Sequence, residues 1–274
     1  MTGRYRVLAW AAAVATYLLI VLGTVVRITG SGLGCGDDWP VCHGRLIPPL
    51  SDPATFIEWN HRLLAAIVSL LVALLAGVTW FERRGVGSGE RLVPGRSGYL
   101  AAGLLVVQVL LGAVTVKLQL PPWTVILHLG TAMALLATLL VAARGRRDTP
   151  RSPAAIIAAA LGFVTLLFGA LTANLGAATA CVGFPLCNGQ LIPAGNYLQH
   201  IQWTHRLLAY GLFVYLIVWA LRTRSRGPGL VLGLAVLQVV VAAVMVLHGV
   251  PGSLQVLHAA VGTAVWVGLV LAAL

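Results

Sequence analysis

EWNHRLLAAIVSLLVALLAGVTW, Glu58 to Trp80, carries its charged side chains in the first five positions and then stays apolar but for Ser69 and Thr79. A run of about 20 apolar residues, wound as helix at ~1.5 Å per residue, crosses a hydrocarbon core of about 30 Å. A membrane-spanning strand would instead alternate apolar and polar residues, and this run does not. Seven other stretches read the same way: 7–27, 99–118, 123–143, 154–174, 201–221, 229–248 and 253–273. The whole chain of 274 residues is 59% hydrophobic and only 9% charged, too little polar surface for a water-soluble domain of this size. The expected fold is therefore an all-α integral membrane protein with eight transmembrane helices. Arg4 and Arg6 precede the first run as they would in a signal peptide, but its length and the lack of a small-x-small cleavage site predict a retained helix.

The opening of that stretch, EWNHRLLA, recurs as QWTHRLLA, Gln202 to Ala209. The matching continues on both sides. CGDDWPVCHGRLIP, Cys35 to Pro48, aligns with CVGFPLCNGQLIP, Cys181 to Pro193; Gln108 matches Gln238, and Leu127-His128 matches Leu257-His258. So many matches in one order predict an internal repeat of four helices. An even number of helices sends both copies into the membrane in the same direction, so the expected arrangement is two four-helix bundles related by a pseudo-twofold along the membrane normal. The domains expected are residues 1–147 and 148–274, with the Arg-rich stretch 144–152 as linker.

The net charge of +11 could suggest nucleic acid, but its distribution says otherwise. If eight helices alternate, Arg4, Arg6, Arg83, Arg84, Arg91, Arg96, Arg144, Arg146, Arg147, Arg151, Arg222, Arg224 and Arg226 share one side, 13 of the 18 basic residues. The positive-inside rule makes that side cytoplasmic. Both termini are expected inside a cell (plasma) membrane, with segments 28–58 and 175–200 outside; no nucleic-acid partner is expected.

All four cysteines fall in those outer segments, as Cys35-x6-Cys42 and Cys181-x5-Cys187. An even count in an oxidising compartment predicts two disulfides, each within one loop. Each would contribute only ~2–3 kcal/mol on the chain-entropy estimate, so the pairs are read as bracing lids. Haem attachment of the c type needs C-x-x-C-H, which is absent. A zinc site from Cys35, Cys42 and His43, or a redox relay through one pair, stays open at this point.

Of seven histidines, His61, His128, His205 and His258 belong to the repeat, each early in an even-numbered helix that starts at the outer surface. Polar groups within a bilayer are costly and usually functional. Paired imidazoles on facing helices grip a haem iron from both sides, whereas zinc would need a third protein ligand. Arg62 and Arg206 are read either as propionate contacts or as interfacial anchors. Gln108 and Gln238 are read as interhelical hydrogen-bond partners, with a pocket contact as the alternative. His43, His200 and His248 lack repeat partners and are read as surface or loop residues.

The copies differ where chemistry would need it. Glu58 stands at i to His61 at i+3, so its carboxylate is expected to share the histidine's pocket; the second copy has neutral Gln202 there. A carboxylate beside one haem and absent beside the other suggests that the first half performs proton-coupled chemistry while the second delivers electrons.

These residues resemble a known family. RITGSGLGC (Arg27 to Cys35), DWPVCHG (Asp38 to Gly44), EWNHR (Glu58 to Arg62) and the later histidines together look like CtaA-type haem A synthase, over essentially the whole chain. The resemblance implies oxidation of the C8 methyl of haem O to the formyl group of haem A, with O2 as oxidant and electrons from the respiratory pool. It implies that His205 and His258 ligate a resident haem b, that His61 and His128 address the substrate haem, and that Glu58 is the essential carboxylate. The haem O synthase (a farnesyltransferase) and a membrane electron donor are the implied partners. The rival reading is a di-haem b electron-transfer protein, which predicts symmetric pockets; a repeat-built transporter predicts broken helices and charges near the midplane.

Overall fold

The computed structural model describes residues 3–84, 96–145 and 152–274. It contains eight helices long and apolar enough to cross a membrane: α1 Gly3–Ile28, α2 Pro53–Arg84, α3 Ser97–Lys117, α4 Pro122–Arg144, α5 Pro153–Asn174, α6 Tyr197–Thr223, α7 Arg226–Leu247 and α8 Gly252–Ala273. The chain divides into two compact units, Met1–Thr149 and Pro150–Ala273. The linker expected over 144–152 lies mostly outside the described residues, as do Arg91, Arg146, Arg147 and Arg151.

Two helices begin well ahead of their apolar runs, for a local reason. Asp52 caps α2 by accepting from the backbone N–H of Thr55 at 2.7 Å, and Pro53 supplies the fixed φ suited to a first helical turn. Those hydrogen bonds from Thr55 hold the exposed Asp52 carboxyl below the usual carboxylate range. Asn196 caps α6 in the same manner, accepting from Leu198 and Gln199. Each even helix of these two thus rises beyond the apolar stretch, and its histidine lies deeper along it than the apolar runs alone imply. His61 and His205 are each the ninth residue of their helices, about 12 Å from the first.

In the first unit each helix packs against the next and α1 closes on α4. Tyr5, Ala9, Ala12, Ala13, Thr16 and Ile20 make a buried stripe at helical spacing on α1, and its small side chains let neighbouring backbones approach. Val68, Val72 and Leu75 of α2 and Leu135, Leu136, Leu139 and Leu140 of α4 complete an apolar plug. The second unit closes likewise, α5 on α6 and α8, α7 on α6 and α8, around Ala155, Ala158, Leu212, Leu216, Trp219, Val231, Ala235, Val265 and Leu269. Large apolar side chains such as Val14, Leu18, Leu70, Leu100, Leu110, Leu230 and Val240 face outward, the surface a bilayer takes. Helix hydroxyls satisfy themselves on the preceding turn, as Thr16 on the Ala12 carbonyl and Thr138 on that of Ala134.

The opposite end of each unit is capped by a disulfide-braced lid. Cys35 and Cys42 are bonded in the first, Cys181 and Cys187 in the second, so the zinc alternative has no free thiolate to use. Each lid turns back through two residues of positive φ, His43-Gly44 and Asn188-Gly189, with paired backbone hydrogen bonds between Cys42 and Arg45 and between Cys187 and Gln190. Such a turn requires left-handed backbone at both central positions, which His and Asn tolerate and Gly prefers. His43 also uses its Nε2 on the Gly34 carbonyl at 2.9 Å, a loop staple. Alkylation of the purified protein is expected to add no mass before reduction and four adducts after it; mass spectrometry checks this.

Candidate functional site

Beneath each lid, one helix pair supplies two histidines. His61 of α2 lies against α1 at Gly23, where an added Cβ would come within 3.2 Å of the imidazole Cε1. His128 of α4 lies against α3 at Gly112, with the same 3.2 Å approach. In the second unit His205 of α6 presses on Gly169 of α5, where a Cβ would stand 2.9 Å from its Cε1, and His258 of α8 meets the Gln238 amide of α7. Only glycine lets the imidazoles sit so close to a neighbouring backbone. Gly169→Ala is therefore expected to displace His205 and to cost about 1–3 kcal/mol by overpacking, with Gly112→Ala milder; thermal unfolding in detergent measures both.

The ring nitrogens differ in their partners. His205 Nδ1 donates to the Thr165 carbonyl at 3.1 Å, which fixes the tautomer and leaves Nε2 with its lone pair. Gln108 Nε2 lies 3.1 Å from His128 Nε2, and Gln238 Nε2 lies 3.1 Å from His258 Nδ1. Among the described residues, the buried side-chain atoms left without a hydrogen-bond partner are His61 Nδ1, His128 Nδ1, Gln108 Oε1 and Gln238 Oε1. All four of these unmet atoms belong to the repeat-matched histidines and glutamines. No cluster of three or more His, Cys, Asp or Glu suited to a metal ion occurs among the described residues. Two imidazoles per unit match the two axial positions of a haem iron, and the donor set fits that group.

Glu58 is the residue whose setting the sequence conveyed least. It shares a helix face with His61, yet both carboxylate oxygens are engaged: Oε2 accepts the Cys35 backbone N–H at 2.8 Å, and Oε1 pairs with the Arg62 guanidinium. The residue is 3% exposed. Gln202, 4% exposed, holds the second lid in the same way, its Oε1 accepting the Cys181 N–H at 2.6 Å and its Nε2 donating to the Ala178 carbonyl at 2.9 Å. Carboxylate and amide are thus alternative braces for the same lid position. The helix spacing was read correctly, but the partner 23 residues away could not be.

Both arginines also turn to the lids. Arg62 Nη1 donates to the Asp38 and Val41 carbonyls at 2.7 and 2.6 Å. Arg206 donates from Nη1 to Gly183 and Leu186 and from Nη2 to Cys181. Both guanidinium groups thus hold lid carbonyls, and Arg62 pairs with Glu58 as well. Thr55, donating its hydroxyl to the Gly34 carbonyl at 2.7 Å, and Trp59, donating Nε1 to the Leu46 carbonyl at 2.9 Å, complete the first lid's seat. In the second, Tyr210 donates to the Pro185 carbonyl at 2.6 Å and packs edge-on against Trp203 and Phe184. His200 and His248 are exposed, as expected of residues outside the site.

A family profile described as cytochrome oxidase assembly protein, COX15-CtaA, matches residues 6–270. The heme A synthase of Exiguobacterium sibiricum is 30% identical over 260 residues, covering 88% of this chain and 85% of the relative. That of Shouchella clausii is 32% identical over 223 residues, 75% of this chain and 72% of the relative. That of Staphylococcus aureus is 28% identical over 277 aligned positions, 92% and 89% respectively.

Proposed function

The chain belongs to the COX15-CtaA family of cytochrome oxidase assembly proteins, and we propose that it oxidises the C8 methyl group of haem O to the formyl group of haem A, with O2 as oxidant. The observation that carries this reading is the pair of imidazoles beneath each lid, accompanied by the unmet buried polar atoms that cluster there. Expression with a source of haem O, followed by pigment extraction, tests it. Haem A and its hydroxylated precursor are expected; recovery of unmodified haem O and haem b alone overturns it.

Within this reading His205 and His258 hold a resident haem b, and His61 and His128 address the substrate haem. The Thr165 carbonyl bond to His205 Nδ1 favours this division, because metal-binding histidines are commonly oriented by such an outer partner. His61 Nδ1 has no such partner, which suits a site whose occupant must come and go. Haem b, when bound, supplies electron transfer from a membrane donor. Glu58, at the rim of the substrate site, holds or moves a proton at its carboxylate, for oxygen-dependent oxidation of a methyl group takes up protons along with electrons. The lid excludes bulk water from that carboxylate, and Arg62 keeps it oriented. A site beneath a braced lid within the bilayer suits a porphyrin with a farnesyl tail, delivered by the haem O synthase.

The two units, the first catalytic and the second resident, are read as four-helix bundles that arose by duplication. Matching lid turns, the paired Glu58 and Gln202 braces and the paired Gln-His contacts support that origin. Arg4, Arg6, Arg96 and Arg144 stand at helix ends opposite the first lid, and Arg222, Arg224 and Arg226 opposite the second. That asymmetry favours lids outside and both termini in the cytoplasm, with the chain in the plasma membrane.

A further inference from the structure

The repeat breaks one turn beyond the lid arginines. WTHRLLA, Trp203 to Ala209, is followed by Tyr210, whereas WNHRLLA, Trp59 to Ala65, is followed by Ala66. The Tyr210 hydroxyl donates to the Pro185 carbonyl in the middle of the second lid at 2.6 Å. Its ring meets Phe184 and Trp203 edge-on, with centroids 6.3 and 6.5 Å away. With Leu186 it packs against the buried cluster of Trp203 and the Cys181–Cys187 pair. An aromatic cluster and a hydrogen bond thus tie the middle of this lid to α6.

The middle of the first lid has no such tie among the described residues. Arg62 and Arg206 act alike, each holding carbonyls on either side of the matched pairs Trp39-Pro40 and Phe184-Pro185. Ala66 is exposed and has no side chain to add, and Trp39 is 39% exposed where Phe184 is half-buried. Thr55 and Trp59 hold the first lid toward its ends, at the Gly34 and Leu46 carbonyls. Asp37 and Lys117 approach at 3.7 Å with both side chains exposed, an ion pair of the kind that contributes little.

We propose that Tyr210 is a latch that keeps the second lid shut over His205 and His258, and that the first lid, with Ala66 in the matching place, is the one that opens, so that a porphyrin beneath the second is retained and one beneath the first is exchanged. The inference rests on the haem reading above. It makes Tyr210 a positioning residue that acts through the lid, and it assigns the gating motion that admits substrate to one half only.

The lid cysteines give a readout of opening that needs no turnover. Each is at most 1% exposed, so a reductant in water reaches a disulfide only through local opening of its lid. The test uses the purified full-length protein with its bound haem b and times reduction of each pair by dithiothreitol, with alkylation and peptide mass spectrometry identifying the pair reduced. In wild type Cys35–Cys42 is expected to open before Cys181–Cys187. Tyr210→Phe keeps the ring and loses the hydroxyl, and should speed reduction of Cys181–Cys187 by about 2–10-fold. Tyr210→Ala should speed it by about 10–100-fold, with Cys35–Cys42 unchanged and with a similar gain in the rate at which haem b passes to added apomyoglobin. Ala66→Tyr should slow reduction of Cys35–Cys42 and leave the second pair as it was. Reversed order in wild type, an unchanged second pair in Tyr210→Ala, equal acceleration of both pairs, or unchanged haem transfer overturns the inference. A wild-type protein that takes up no haem removes the underlying reading instead, while the reduction rates still judge the latch.

Discussion

If His205 and His258 hold a resident haem b as proposed, protein carrying His205→Ala or His258→Ala is expected to emerge from detergent purification without it, lacking a low-spin spectrum and producing no haem A. The loss should exceed the about 10–100-fold that outer-partner changes cost in metal affinity, because on the proposed assignment a ligand itself is removed. For His205 the surroundings add to the effect. The ring is positioned by the Thr165 carbonyl and the groove at Gly169. Collapse of the fold is not the expected cause. The apolar plug of Leu212, Leu216 and Trp219 lies two or more turns further along α6, so helix content by circular dichroism and the alkylation pattern of the cysteines should match wild type. His61→Ala is the complementary case: low-spin haem b stays and haem A formation stops. Retention of a normal low-spin spectrum in either His205→Ala or His258→Ala overturns the ligand assignment, whatever happens to turnover.

Those histidines were legible in the sequence because their signal is local and doubled: a polar residue in an apolar run, repeated at a matching place. Helix number followed from apolar length alone, and the eight runs became α1 to α8. Starts were less legible. Pro53–Ala54–Thr55–Phe56 is not apolar enough to extend a transmembrane run, and α2 begins there because of the Asp52 cap, a signal carried by hydrogen-bond chemistry rather than by hydrophobicity. Least legible were the lid contacts. Glu58 to Cys35, Arg62 to Val41 and Gln202 to Cys181 join residues more than 20 apart, and nothing in the spacing along α2 distinguishes a carboxylate that faces a pocket from one that accepts a loop N–H. Gly23, Gly112 and Gly169 matter through what they leave empty, which a sequence read for side-chain chemistry passes over. Matching Gln108 to Gln238 was visible; that each meets a histidine was not.

Glu58→Gln is expected to keep haem b, keep both disulfides and lower haem A formation by about 100-fold or more, the range in which a positioned acid or base contributes. The second lid gives the structural half of this argument. Gln202 accepts the Cys181 N–H through Oε1, and Arg206 stays on the Gly183, Leu186 and Cys181 carbonyls with no carboxylate beside it. A glutamine at 58 can do the same for Cys35 while Arg62 keeps its bonds to the Asp38 and Val41 carbonyls. Lid bracing therefore survives the substitution, and what disappears is a group able to take and give a proton. Glu58→Ala confounds the two effects by leaving the Cys35 N–H unmet and Arg62 without its buried counter-charge, a loss that can reach 3–5 kcal/mol. Gln202→Glu supplies the reciprocal control: the second lid gains a carboxylate beside Arg206, and turnover should stay within a few-fold of wild type if, as proposed, that half only delivers electrons. Haem A production measured in all three variants against haem b content decides the matter. An active Glu58→Gln protein would leave the carboxylate as a brace alone, with Arg62 its structural partner, and would place the proton source for methyl oxidation elsewhere.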